Sequence, residues 1–483
     1  MKIIISIFIC VLLGQSMFFV EKSSAEWEHD LVLTNEGTIS SYNNAWCIAA
    51  NENVVHVVWY SIRDGNYEIY YKRSTNSGLT WSANSRLTNN IEPSSYPSIA
   101  VSGLLVHIIW DEERNGNFEI YYKRSTDAGI SWGTETYLTN QTVFSRNHSI
   151  AVSGSIVNVV WRDSRDGNYE IYYKRSSNGG VSWGNDIRLT DNDAYSGSPS
   201  ISISGSNLIA VWEDYRDSIW EIYYKRSTDS GIIWGAETRL TNYISISENP
   251  SIAVSDSLVH VAWEDYRDGN VEIYYKRSTD GGLTWSQDIR LTNNTGWSGS
   301  PSISVSGSNV HIVWHDERDG NREIYYKRST DNGINWESDL RLTDNYYYSG
   351  SPSVAVFGSN VHVVWNDYSI VGYASVFYKR NPTGNVGVQN ISTEIPSAFS
   401  LNQNYPNPFN PVTKIKFQVP SQKFIKLVVF DILGKEVETL VNEQLQPGTY
   451  EATFDAGNLN SGIYFYRLET EGFSETKKMI LIK

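Results

Sequence analysis

Residues 323–336 read EIYYKRSTDNGINW. Carboxylates, cations and aromatic rings crowd into one short segment, the composition of a chemically active stretch. Its recurrence argues otherwise. EIYYKRS begins at Glu68, Glu119, Glu170, Glu221, Glu272 and Glu323, 51 residues apart each time. A Trp closing a Val-rich run keeps the same period at Trp59, Trp110, Trp161, Trp212, Trp263, Trp314 and Trp365, and so does a second series at Trp81, Trp132, Trp183, Trp234, Trp285 and Trp336. A period of this size marks stacked supersecondary units.

Each unit divides into four alternating runs separated by turn residues, which predicts four short strands, a to d. PSIAVSG is strand a, the run around VHVVW strand b, EIYYKRS strand c, and the Trp-to-RLT stretch strand d. Four-stranded units of this length suit the blades of a β-propeller. The seventh unit, Pro352 to Arg380, lacks strand d, whereas Trp27–Thr34, WEHDLVLT, matches Trp81–Thr88, WSANSRLT. The first segment would complete the last blade and remove two open sheet edges. The expected fold is therefore all-β, with a seven-bladed propeller over residues 26–380 closed by an N-terminal strand. A linker is expected over 381–400 and a small Ig-like β-sandwich over 401–483, where short strands are broken by Gly and Pro.

The bulk properties narrow the function. The chain of 483 residues carries a formal net charge of −15, which argues against nucleic acid, since such partners need a basic face. Residues 1–25 combine Lys2, an apolar run and small residues at Ser23 and Ala25, the pattern of a secretory signal peptide. With it removed only Cys47 is left, so no intrachain disulfide is expected, and no transmembrane segment remains.

The segment Ser329-Thr-Asp331-Asn-Gly333-Ile-Asn-Trp336 resembles the Asp-box (BNR repeat) of sialidase-like propellers. The Asp/Asn position is filled by Asn76, Asp127, Asn178, Asp229, Asp280 and Asp331. A side-chain oxygen there accepts amides across the turn while Gly takes a left-handed conformation. The resemblance implies a structural hairpin between strands c and d, on the side away from any active site. Asn404-Tyr-Pro-Asn-Pro-Phe-Asn-Pro411, Phe430-Asp-Ile-Leu-Gly434 and Ser461-Gly-Ile-Tyr-Phe-Tyr-Arg467 resemble the C-terminal sorting domain of type IX (Por) secretion substrates. That resemblance implies contact with the secretion machinery through residues 401–483, and a protein released or held at the outer-membrane surface.

No catalytic set follows from the sialidase resemblance. The residues before the Pro-Ser-Ile position are Ala45, Tyr96, Asn147, Ser198, Asn249, Ser300 and Ser351, so the family's R-I-P arginine is missing. Only Arg146, Arg162 and Arg322 stand outside the repeated arginines of the propeller, and they fall in blades 3 and 6. Asp163 should face Glu170 across an Asp-Gly turn, with Arg165 diagonal to Glu170. A carboxylate pair suits glycoside hydrolysis, but its recurrence in most blades points to a structural ion cluster. Its acidic, Gly-containing turn hints at calcium, but the spacing is not that of a D-x-D-x-D-G loop. His56, His107, His260, His311 and His362 all lie three residues before a strand-b Trp, and His29, His148 and His315 have no metal-ligand spacing. Neither a nucleophile elbow nor a phosphate loop is present, so no cofactor or metal is expected.

What varies between blades lies on the d–a loops and b–c turns, opposite the Asp-boxes. Tyr42, Phe144, Tyr195, Trp297 and Tyr348 share one loop position, and Trp46 and Trp220 lie nearby. Such rings stack on sugars or pack loops onto blade tops. Arg146, His148 and Glu248 add polar groups on the same loops. These ten residues are the candidate ligand contacts. The reading favoured is a non-catalytic module binding glycan or a surface protein. A divergent exo-sialidase or other glycoside hydrolase is the alternative, and a purely structural surface component the third.

Overall fold

The computed structural model describes residues 27–34, 47–114, 116–139, 144–368, 374–382, 388–392, 395–445, 447–456 and 459–483. The leader expected over 1–25, together with Tyr42 and Trp46, lies outside the described residues. Within them every regular element is a strand, and the strands form nine four-stranded antiparallel sheets.

Seven of the sheets are the blades. Blade 3 serves as the pattern, with strands Ser145–Ser153, Ile156–Asp163, Glu170–Ser176 and Ile187–Arg188 in that order. The second strand is apolar on both faces because a neighbouring blade covers each one. Val157, Val159, Val160 and Trp161 are accordingly all buried. First strands of successive blades run side by side around the ring, and Ile48–Asn51 of blade 1 lies against Ser349–Phe357 of blade 7.

Blade 7 takes its outer strand from the start of the chain. Leu31 pairs with Tyr378 and Val32 with Phe377, and the Val376 amide donates to Thr34 Oγ1 at 3.0 Å. The same contacts then join every blade to the next. The strand-c lysine donates to the strand-d Leu carbonyl of the preceding blade, as Lys123 does to Leu87 at 2.6 Å and Lys72 to Leu33 at 2.8 Å. The Trp that opens strand d stands edge-on to the preceding blade's Tyr, as Trp183 does to Tyr122 with centroids 5.0 Å apart.

The turns after strand c repeat one hydrogen-bond scheme. Asp280 Oδ1 accepts the amides of Leu283 and Thr284 at 3.0 and 2.9 Å, and Ser278 Oγ accepts the Gly282 amide at 2.9 Å. Gly282 has φ +87°, a region costly for residues with a Cβ. Asp127, Asp229 and Asp331 accept in the same way, as do Asn76 and Asn178 through one amide each.

Asp163 does face Glu170, but the arginine assignment differs from expectation. Arg165 does not serve Glu170. Its amide folds back onto Asp163 Oδ1 at 3.0 Å, and its guanidinium grips the same carboxylate at 2.9 and 2.6 Å. Glu170 is neutralised by Arg188 at 2.8 Å and accepts from Thr190. Each carboxylate of the facing pair thus has its own cation, an arrangement that recurs at Asp265 with Arg267 and Glu272 with Arg290.

The remaining two sheets form the C-terminal sandwich. One is ordered Val388–Ser392, Gly448–Asp455, Val412–Val419, Ser400–Leu401, and the other Glu436–Leu445, Lys423–Phe430, Gly462–Thr470, Phe473–Leu481. Alternating residues such as Ile415, Phe417, Leu427, Val429, Tyr466 and Leu468 fill the space between them. Strand Val388–Ser392 falls inside the stretch read from sequence as linker and pairs with Gly448–Asp455.

Candidate functional site at the propeller mouth

On the face away from the box turns, the residue following each strand-b Trp breaks the repeat. These residues are Tyr60, Asp111, Arg162, Glu213, Glu264, His315 and Asn366. On strand a the ladder sets Ser95 opposite Asp111, Arg146 opposite Arg162, Gly197 opposite Glu213, Glu248 opposite Glu264, Gly299 opposite His315 and Gly350 opposite Asn366. A β-bulge follows in blades 2 to 7, with Tyr96, Asn147, Ser198, Asn249, Ser300 and Ser351 at φ between 43° and 53°. The bulge turns a backbone amide toward the preceding blade.

Two acids use those amides. Glu213 Oε2 accepts from the Asn249 amide at 3.0 Å, and Glu264 Oε1 from the Ser300 amide at 2.7 Å. Glu213 also accepts from Ser198 Oγ at 2.8 Å. Glu248 lies beside them and accepts from the Tyr266 hydroxyl at 2.7 Å. Burial, reinforced by the negative charge of Glu248 and Glu213, pushes the Glu264 carboxyl up to about 7 against the pull of the Ser300 amide. Burial raises Glu213 as well, with Arg162 nearby opposing the shift.

Blades 2 and 3 form a cationic counterpart. Arg146 and Arg162 are directly opposed on the ladder, an unfavourable pairing of like charges. Both are spread over aromatic rings. Arg146 lies 3.9 Å from the Phe118 centroid and Arg162 4.3 Å from that of Tyr169. Arg146 Nε reaches Asp111 at 3.3 Å, and the buried His148 lies 3.2 Å from the same carboxylate. Arg162 Nε has no hydrogen-bond partner among the described residues. In blade 6 neither nitrogen of the buried His315 has one. Burial and the Arg322 charge bring that imidazole down to about 3, so it is neutral.

The loop aromatics pack against other rings at the blade tops. Phe144 lies 6.1 Å from Phe118, Tyr195 5.8 Å from Tyr169, Trp220 5.2 Å from Tyr215 and Trp297 6.1 Å from His315, measured between centroids. Phe144, Tyr195, Trp297 and Tyr348 stay partly open to solvent. Among the described residues no group of three or more His, Cys, Asp or Glu is placed to hold a metal ion. Sequence reasoning passed over Arg162, Glu213, Glu264 and His315 as a group. Their signal was the variable position directly after an invariant Trp.

Residues 403–483 match the model of the secretion system C-terminal sorting domain. The chain ends in a type IX sorting domain. The sorting domain makes this an exported protein, secreted or attached at the cell surface, and implies an encounter with the secretion machinery. No curated protein matches the sequence. Among solved structures the chain is similar to polysaccharide lyase Uly1, at 10% identity and a TM-score of 0.51 over 74% of this chain and 99% of that one. Weaker similarity extends to Trypanosoma rangeli sialidase, at 11% identity and a TM-score of 0.44 over 92% and 89% of the two chains. Phage phi92 endosialidase gives 11% and 0.44 over 80% and 72%. At such identities the likeness concerns the fold alone.

Proposed function

We propose that the propeller is a binding module delivered to the cell exterior by its sorting domain, and that its mouth takes an anionic glycan. The observation carrying this reading is Arg162, whose guanidinium is stacked on Tyr169 with Nε unpartnered beside the equally cationic Arg146. A carboxylate or sulfate would balance the two adjacent guanidinium charges through charge-assisted bonds. Phe144, Tyr195, Trp220, Trp297 and Tyr348 offer faces for sugar rings, with Glu248 contributing a polar edge, while the buried His148 stays behind Asp111. Glu213 and Glu264 already accept backbone amides of the next blade, which favours a structural role for them. Titration of acidic oligosaccharides against residues 26–483 tests the proposal. Arg162→Ala should weaken binding by roughly tenfold or more. Equal affinity of the variant and the parent would refute it.

A second reading, glycosidic bond cleavage, draws on Glu264, since a buried carboxyl titrating near neutrality suits a general acid. Turnover of fluorogenic glycosides that disappears in Glu264→Gln would establish it. Absence of turnover across a panel of acidic and neutral glycosides would leave binding as the function.

A further inference from the structure

Between blades 4 and 5 the lysine and Trp–Tyr contacts persist, with Lys276 on the Leu240 carbonyl at 2.9 Å and Trp285 5.3 Å from Tyr224, but the contact made by the strand-c arginine changes. In five other blades the strand-c arginine reaches across to a box-turn carbonyl of the next blade, while Arg328 of blade 6 pairs with Glu337 of its own blade at 2.8 Å. Arg73 donates to Ala128 O at 3.1 Å, Arg124 to Gly179 O at 2.7 Å, Arg175 to Ser230 O at 2.7 Å, Arg277 to Asn332 O at 3.3 Å and Arg380 to Ser77 O at 2.8 Å. Arg226, in the same position, makes no such bond, and its Nη1 is buried without a partner among the described residues.

The cause lies on strand b. His56, His107, His260, His311 and His362 hold the second strand-c tyrosine through Nδ1, as Asn158 does through Oδ1. Blade 4 has Ile209 there. Tyr224 therefore has no side-chain acceptor and donates to Gly282 O at 3.0 Å instead. At Gly78, Gly129, Gly180, Gly231 and Gly333 a Cβ would fall 1.7–1.9 Å from the preceding blade's tyrosine oxygen. At Gly282 the nearest atom is Ile209 Cδ1 at 3.1 Å. The tyrosine has moved, the arginine has lost its carbonyl, and a groove of about 530 Å³ lies open there. The corresponding groove between blades 7 and 1 measures about 340 Å³, and Arg380 within it is tied to Glu28 and Ser77.

We propose that the blade 4–5 groove is a second binding site, on the box-turn face, for a saccharide unit whose ring lies on Trp234 and whose oxygen accepts from the Arg226 guanidinium that lines it. Thr228 and Asp229 supply hydroxyl and carboxylate partners at its edge, and Ile233 and Leu283 shield the ring's apolar face. The volume falls within the ordinary range for small-ligand sites, roughly 300–1,000 Å³. This site does not depend on the mouth, since the two lie on opposite faces of the ring.

Saturation-transfer NMR on the full chain tests it, with tetragalacturonate and laminaritetraose as acidic and neutral probes at millimolar concentration. Transfer to at least one probe is expected. It should be retained in Arg162→Ala, which removes acidic-glycan binding at the mouth, and lost when Arg226→Ala is added to that variant. In the same Arg162→Ala background, Ile209→His should draw the Tyr224 hydroxyl from Gly282 O onto the imidazole, let Arg226 reach Gly281 O, and close the groove with the same loss of transfer. No transfer to either probe overturns the proposal, and so does transfer that survives in the Arg162→Ala, Arg226→Ala double variant. Transfer abolished by Arg162→Ala would place the binding at the mouth and overturn it equally. Should Ile209→His not fold, the Arg162→Ala, Arg226→Ala double variant decides the question alone.

Discussion

Trp81 stands edge-on against Tyr378, with ring centroids 4.9 Å apart and planes at 77°, and so joins the first blade to the last. The same contact recurs between Trp132 and Tyr71, and between Trp27 and Tyr326. Closure therefore uses an ordinary inter-blade contact. Replacing Trp81 by Ala should cost about 3–5 kcal/mol, as for other large-to-small changes in a packed site. Urea unfolding would measure it. A cost well below this would mean that the ring is held mainly by the strand pairing of Leu31–Val32.

The buried histidines predict acid sensitivity. Burial holds His107 and His260 down at about 4, and His56, His311 and His362 at about 3, all below the free value of 6.5. Protonation then favours the unfolded chain. Their stabilising contribution is complete above pH 6.5 and is lost as pH falls toward 3–4, by about 1.4 kcal/mol per unit for each residue. Blade 3 shows the remedy in Asn158, which accepts from Tyr173 at 2.6 Å. His107→Asn should match the parent near pH 7.5 and exceed its stability at pH 4.5. An equal difference at both pH values would contradict this.

Glu264 has the opposite dependence. Its folded value of about 7 lies above the free value of 4.5, so the folded state binds the proton more tightly. Stability falls as pH rises from 4.5 to 7 and stays lowered above that range. Glu264→Gln should be the more stable protein at pH 8, by up to about 3 kcal/mol, and close to the parent at pH 4. Melting curves at the two pH values check the sign.

Gly299 keeps space open at the mouth. A Cβ there would lie 2.8 Å from Trp297 Nε1 and 3.0 Å from His315 Nε2. Gly299→Ala should move the indole at a cost of about 1–2 kcal/mol, change tryptophan fluorescence and weaken glycan binding. Unchanged emission and affinity would remove Trp297 from the site.

The fold was legible because a repeat converts weak strand signals into a phase. One EIYYKRS segment is ambiguous, but six in register with two Trp series fix blade limits, and WEHDLVLT shows where the missing strand comes from. The mouth was harder to read. Arg162, Glu213, Glu264 and His315 are single residues that alternation turns toward one face, while the bulge at Ser198, Asn249 and Ser300 leaves no signature in residue type. Which arginine serves which acid was also hidden, because Arg165 folds back along its own turn and Glu170 is reached by Arg188 from the next strand.

The bond from the Glu28 amide to the Arg380 carbonyl, 2.9 Å long, sets the two ends of the propeller side by side in one ladder. A ring sealed in this way is indifferent to where its chain is cut. Joining the two ends through a short tether and opening a turn between any other pair of blades should give a permuted protein with the same seven-part circle. The position of the first residue belongs to the order of synthesis, and the architecture has no first blade.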